Sequence, residues 1–85
     1  VREQAINADG TRRDIAPANG TDYSLAECQA IVGGFIELVH ACKGWILVVN
    51  EEGLLRDLPR NNVASIIAGQ QIVGNAMLVR DGSIR

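Results

Sequence analysis

Tyr23–Gly53, YSLAECQAIVGGFIELVHACKGWILVVNEEG, is the stretch whose reading decides the fold. Ser24 followed by Glu27 is a capping box, in which the hydroxyl accepts from a first-turn amide and the carboxylate reaches back. Tyr23 and Cys28 take the two staple positions around it, and Leu25, Cys28, Ile31 and Val32 fall on one helical face. Gly33-Gly34 supplies the left-handed residue that ends the helix. The spacing therefore predicts a helix over 24–32. Phe35 to Cys42 then alternates with the period of a strand: Ile36, Leu38, His40 and Cys42 on one side, Phe35, Glu37, Val39 and Ala41 on the other. Lys43-Gly44 reads as a tight turn. Trp45 to Val49 is apolar on both faces, as expected of a central strand over 45–50. Glu51-Glu52-Gly53 closes it with an acidic turn.

Upstream, residues 3–16 read as a hairpin around Asp9-Gly10, with Ile15 inward, and Pro17-Ala18-Asn19-Gly20 reads as a turn. Downstream, Pro59 stands before the candidate caps Asn61 and Asn62. Val63, Ile66 and Ile67 at i, i+3, i+4 then predict a short helix over 61–68. A last strand is expected over 71–80, interrupted by Gly74, with Ser83-Ile84-Arg85 frayed or leading into a tail. The order ββ-α-ββ-α-β in one domain, 1–85, predicts an α+β fold: a small, mostly antiparallel sheet with two short helices packed on one face.

Composition sets limits on function. Apolar residues make up 47% of the chain but aromatic ones only 4%, so the core must be built from Ile, Leu and Val. The net charge is −2, and the eight Lys and Arg are scattered. Arg12-Arg13 is followed at once by Asp14, which leaves no basic stripe for nucleic acid. No apolar run approaches the roughly 20 residues of a membrane span. The N-terminus Val1-Arg2-Glu3-Gln4 lacks the hydrophobic segment of a signal peptide, and the absence of an initial Met leaves room for residues before it. Cys28 and Cys42 make no disulfide framework and read as two small buried hydrophobes in a reducing cytoplasm.

Candidate chemistry is sparse. His40 and Cys42 alternate onto one strand face, but no third group at recognisable spacing would orient them. Two Cys and one His are too few for a structural zinc site. Glu51 and Glu52 are adjacent on a turn, so their carboxylates diverge, and a knob of negative charge for a basic partner is the alternative to a solvated turn. Gly33-Gly34 follows a helix, whereas phosphate loops precede one. No catalytic residue, metal site or cofactor is expected, and the chain does not read as an enzyme. The candidate binding residues are Trp45, Glu51, Glu52, Gly33, Gly34 and Asn50. Trp45 is either a lid on the core or an interface anchor. Two short helices on one face would leave the Trp45–Val49 strand short of cover, which favours a protein partner or a homodimer.

Tyr23-Ser24-Leu25, Ile31-Val32-Gly33-Gly34-Phe35-Ile36-Glu37, Val49-Asn50-Glu51-Glu52-Gly53, Leu58-Pro59 with Asn61, and Ile72-Val73-Gly74-Asn75 together carry a resemblance. The chain resembles a family of small domains of unknown function found in bacteriophages, plasmids and other mobile elements. The resemblance implies a cytoplasmic protein of a bacterial host cell and supplies no catalytic residues. It favours an accessory protein that binds and inhibits or regulates a host protein complex, such as a defence system. The alternative is a sponge or sensor for a nucleotide-like ligand, held at a dimer interface near Gly33, Gly34 and Asn50.

Overall fold

A computed structural model describes residues 2–84. Val1 and Arg85, included in the expectations for the two termini, lie outside the described residues. Five strands form one antiparallel sheet in the order β2-β1-β5-β4-β3. They are β1 (Gln4–Ile6), β2 (Arg12–Asp14), β3 (Ile36–Cys42), β4 (Trp45–Asn50) and β5 (Ala76–Arg80). The helices are α1 (Leu25–Val32) and α2 (Asn62–Ala68), and a short 3₁₀ turn covers Asp81–Ser83. The antiparallel α+β architecture is the one expected.

Both helices are capped as their sequences dictate. Ser24 accepts from the Glu27 amide while Glu27 receives the Ser24 amide, and Gly33 closes α1 at φ 84°. Asn61 caps α2 by accepting from the Ala64 amide. The staple also forms, with Tyr23 and Cys28 buried in one cluster.

The placement of the helices is a correction. They lie on opposite faces of the sheet. Cys28 and Val32 of α1 pack with Val48, Met77 and Val79, whereas Ala64 of α2 packs with Leu47, Val49, Ala76 and Leu78. Alternate residues of β4 and β5 thus enter two separate cores, because successive strand side chains point to opposite faces. The apolar character of both faces of β4 is met by one helix on each side. Val48 is fully buried, and Ile46 and Trp45 are partly buried. The expectation that this strand lacks cover, and the case for a partner built on it, are therefore set aside.

Two further expectations change. The final strand begins only at Ala76, because Gly74 at φ 78° turns the chain and Ile72–Val73 runs outside the sheet, where Val73 bridges Arg60. Ser83 and Ile84 are not frayed: the Tyr23 amide donates to the Ser83 carbonyl at 2.7 Å, and Ile84 packs on the α1 core.

That docking encloses Tyr23, whose hydroxyl donates to Glu3 Oε1 at 3.2 Å. Burial first, then the neighbouring Glu3 carboxylate, pushes the phenol well above its ordinary value. Burial and Glu27 likewise push the Cys28 thiol up. Raised folded-state values mean that the unfolded chain ionises first. Their contribution is therefore whole below the unfolded values, roughly 8.5 and 10, and drains away as pH rises from there through the raised folded-state values. The thermal midpoint is expected to fall between neutral pH and pH of about 11, and Tyr23→Phe should flatten the upper part of that fall. An unchanged slope in Tyr23→Phe would refute the assignment.

Candidate functional site

The structure gathers five of the six candidate binding residues at one end of the sheet, where α1 finishes, β4 ends and the 51–58 loop begins. Asn50, almost fully buried, is the hub. Its Nδ2 donates to the Val32 carbonyl at 3.1 Å, and its Oδ1 accepts from the Glu52 amide at 2.8 Å. One side chain thus fastens the last turn of α1 to the start of the loop. A Cβ on Gly34 would stand 3.1 Å from the same Nδ2, so the approach of the glycine backbone keeps Asn50 in place. Arg56, which sequence reasoning passed over, reaches across to donate to the Gly33 carbonyl at 3.2 Å and pairs with Glu52 at 3.8 Å. The signal for Arg56 was its i,i+4 spacing from Glu52. Asn50 and Arg56 both serve the free carbonyls at the C-terminus of α1, the groups that a helix end leaves without partners.

Glu51 and Glu52 diverge, as adjacency on a turn dictates. Glu52 turns to Arg56, whereas Glu51 lines a cleft of about 190 Å³ with Glu37, Leu54, Gln71 and Val73. Beneath the loop, Gly33, Asn50, Arg56, Leu58 and Asn75 line a second cleft of about 310 Å³. The polar groups expected to hold a ligand there, those of Gly33 and Asn50, already serve internal bonds.

The loop itself is a compact turn. Arg56 donates to the Glu52 carbonyl at 2.9 Å and Leu58 to the Gly53 carbonyl at 3.0 Å. Close packing holds it down: a Cβ on Gly53 would lie 2.6 Å from Val73 Cγ2, and one on Gly74 2.8 Å from Leu58 Cδ1. On this clamped base Leu54 and Leu55 stand 74% and 86% exposed. Phe35, 61% exposed, is tied to the base of the loop through its carbonyl, which accepts from the Glu51 amide.

Trp45 is at the other end of β4, apart from these residues. Its ring is partly buried on the α2 face, and the Arg80 guanidinium covers it at 4.8 Å from the centroid. Such a contact is worth about 0.5–1 kcal/mol at an exposed site.

Cys42 is exposed where burial was expected, while Cys28 is buried. His40 and Cys42 are not brought together, which corrects the expectation that they share a face. The register shifts between them, so that His40 stands opposite Ile46 while Cys42 stands opposite Trp45. Ile46 belongs to the α1 face and Trp45 to the α2 face. The extra residue of a β-bulge, here Ala41, reverses the alternation on which the reading relied. Arg12 and Arg13 also part, because neighbouring strand residues point to opposite sides. Among the described residues there is no cluster of metal-ligating side chains and no helix long and apolar enough to cross a membrane.

No curated protein and no solved structure matches the chain. A family model for a domain of unknown function (DUF3846) matches residues 6–84, a span that takes in both cores and the whole Asn50–Arg56 cluster. The chain therefore belongs to the DUF3846 family.

Proposed function

We propose that this domain works by binding a protein rather than by catalysis. In this reading it is a cytoplasmic accessory protein of a phage, plasmid or similar element, and it engages a host protein complex as an inhibitor or regulator, for example of a defence system. The observation that carries the reading is the display of Leu54 and Leu55 on a loop held at its base by Asn50, Arg56 and Gly53. A solvated leucine forgoes roughly 1.5–3 kcal/mol that burial would return, and two adjacent ones on a preorganised loop lose little further freedom when they dock. The partner that fits is a protein with an apolar groove. The family resemblance supports the setting, and the separation of His40 from Cys42 supports binding over thiol chemistry.

The test is affinity capture from bacterial host lysate, followed by titration of the captured protein. Wild type and Ile66→Glu, which alters an 82% exposed residue on α2, are expected to bind alike. The double variant Leu54→Glu/Leu55→Glu should bind about thirtyfold more weakly or worse, the loss typical of removing a central apolar anchor. Equal binding by the double variant, or no captured protein at all, would overturn the proposal.

A further inference from the structure

The two edges of the sheet are built differently. One edge, β2, is three residues long and reads Arg12-Arg13-Asp14, all exposed. Short length and charge are the usual protection against another strand adding on. The opposite edge, β3, is seven residues long, without proline, and Glu37 is its only acidic or strongly basic residue. On it Leu38 stays 52% exposed, although the side chain faces the same way as its partner Val48 in the α1 core. This edge has the composition of a strand meant to pair.

The hydrogen-bond pattern says which backbone groups are on offer. The Phe35 carbonyl accepts from the Glu51 amide, so Phe35, Glu37 and Val39 turn their backbone groups toward β4, and Ile36, Leu38 and His40 turn theirs outward. Beyond His40 the register shift breaks the regular strand. The straight outer edge is therefore Ile36–His40, and its midpoint is Leu38.

The geometry points to a second copy of this chain as the occupant, pairing β3 to β3 in antiparallel fashion about a two-fold axis at Leu38. In that register Ile36 meets the partner's His40 and Leu38 meets the partner's Leu38, with about six new backbone hydrogen bonds. The two leucines cover each other on the α1 side. On the other side Glu37 meets the partner's Val39. Centring the axis on Glu37 would instead set two carboxylates directly opposite, which is destabilising. Centring it on Val39 would run Ile36 into the bulged region at Cys42. Only the Leu38 axis uses the whole straight edge without a like-charge clash. The product is a continuous ten-stranded sheet.

The experiment is light scattering coupled to size exclusion across a concentration series. Wild type is expected at twice the 9.1 kDa chain mass at high concentration. Leu38→Lys sets two ammonium groups against each other, and Leu38→Pro removes an outward donor that β4 does not use, a position where edge strands tolerate proline. Both should run at the single-chain mass with an unchanged far-UV spectrum. As a check independent of disruption, Leu38→Cys in a Cys42→Ser background should give a reducible covalent dimer on mild oxidation. Directly opposed antiparallel residues have Cα atoms about 5.5 Å apart, within disulfide range. A single-chain mass for wild type at all concentrations would overturn the proposal. So would a double mass that survives in both Leu38 variants, or a failure of the cysteine variant to cross-link.

Discussion

Asn61→Ala is expected to destabilise the domain by about 3–5 kcal/mol, read as a lowered denaturation midpoint at unchanged slope. Asn61 is fully buried and serves three segments at once. Its Oδ1 caps α2 by accepting from the Ala64 amide at 3.0 Å. Its Nδ2 donates to the Ile6 carbonyl at 2.8 Å and to the Gly74 carbonyl at 2.9 Å, joining the end of β1 to the turn that leads into β5. Truncation loses the cap, about 1 kcal/mol, and removes two buried hydrogen bonds from interior carbonyls, at about 1–2 kcal/mol each. A chain of this length has roughly 4–13 kcal/mol to lose, so much of the margin goes. Asn61→Asp distinguishes the two roles. It keeps the cap acceptor but turns a carboxylate toward carbonyl oxygens, so it should be no more stable than Asn61→Ala. A loss below about 1 kcal/mol in Asn61→Ala would show that the interior bonds contribute little.

Asn50→Ala is expected to cost about 2–4 kcal/mol, with a consequence for binding as well as folding. Two bonds disappear from a buried position, one to the last turn of α1 and one to the Glu52 amide that starts the loop. Asn50→Asp should do no better. It keeps the acceptor for Glu52 but loses the donor for Val32 and sets a negative charge against the negative end of the helix. The measurable signature is local. Amide hydrogen exchange over residues 52–58 should accelerate beyond what the global stability loss explains. Partner capture through Leu54 and Leu55 should weaken even where the variant is folded. Exchange that changes uniformly along the chain would mean that Asn50 supports the fold without ordering the loop.

Much of the molecule was legible before any coordinates. The caps Ser24 and Asn61, the stop Gly33, and the turn glycines Gly10, Gly20 and Gly44 all do what their neighbours in sequence imply. The candidate site was partly legible. Gly33, Gly34, Asn50, Glu51 and Glu52 do converge, but Arg56 and the close packing of Gly53 on Val73 and of Gly74 on Leu58 join distant segments and leave no local pattern. The pairing of His40 with Cys42 failed for a related reason. A bulge is one residue of slippage, and strand alternation inverts with each residue of slippage.

The amino-acid sequence by itself determined the elements, their order and their ends, because capping, turn formation and periodicity are settled among residues a few positions apart. It also determined that β4 must be covered on both sides. Which helix covers which face, and which strand is left at the edge, was decided only in three dimensions. β5, last in the chain, enters the sheet between β1 and β4, and α1 and α2 close over opposite sides of that centre. A strand equally apolar on both faces carries no local mark of which helix belongs to which, so the assignment waits for the long-range register. The same register leaves β3 outermost and sets Leu38 at the middle of its open edge.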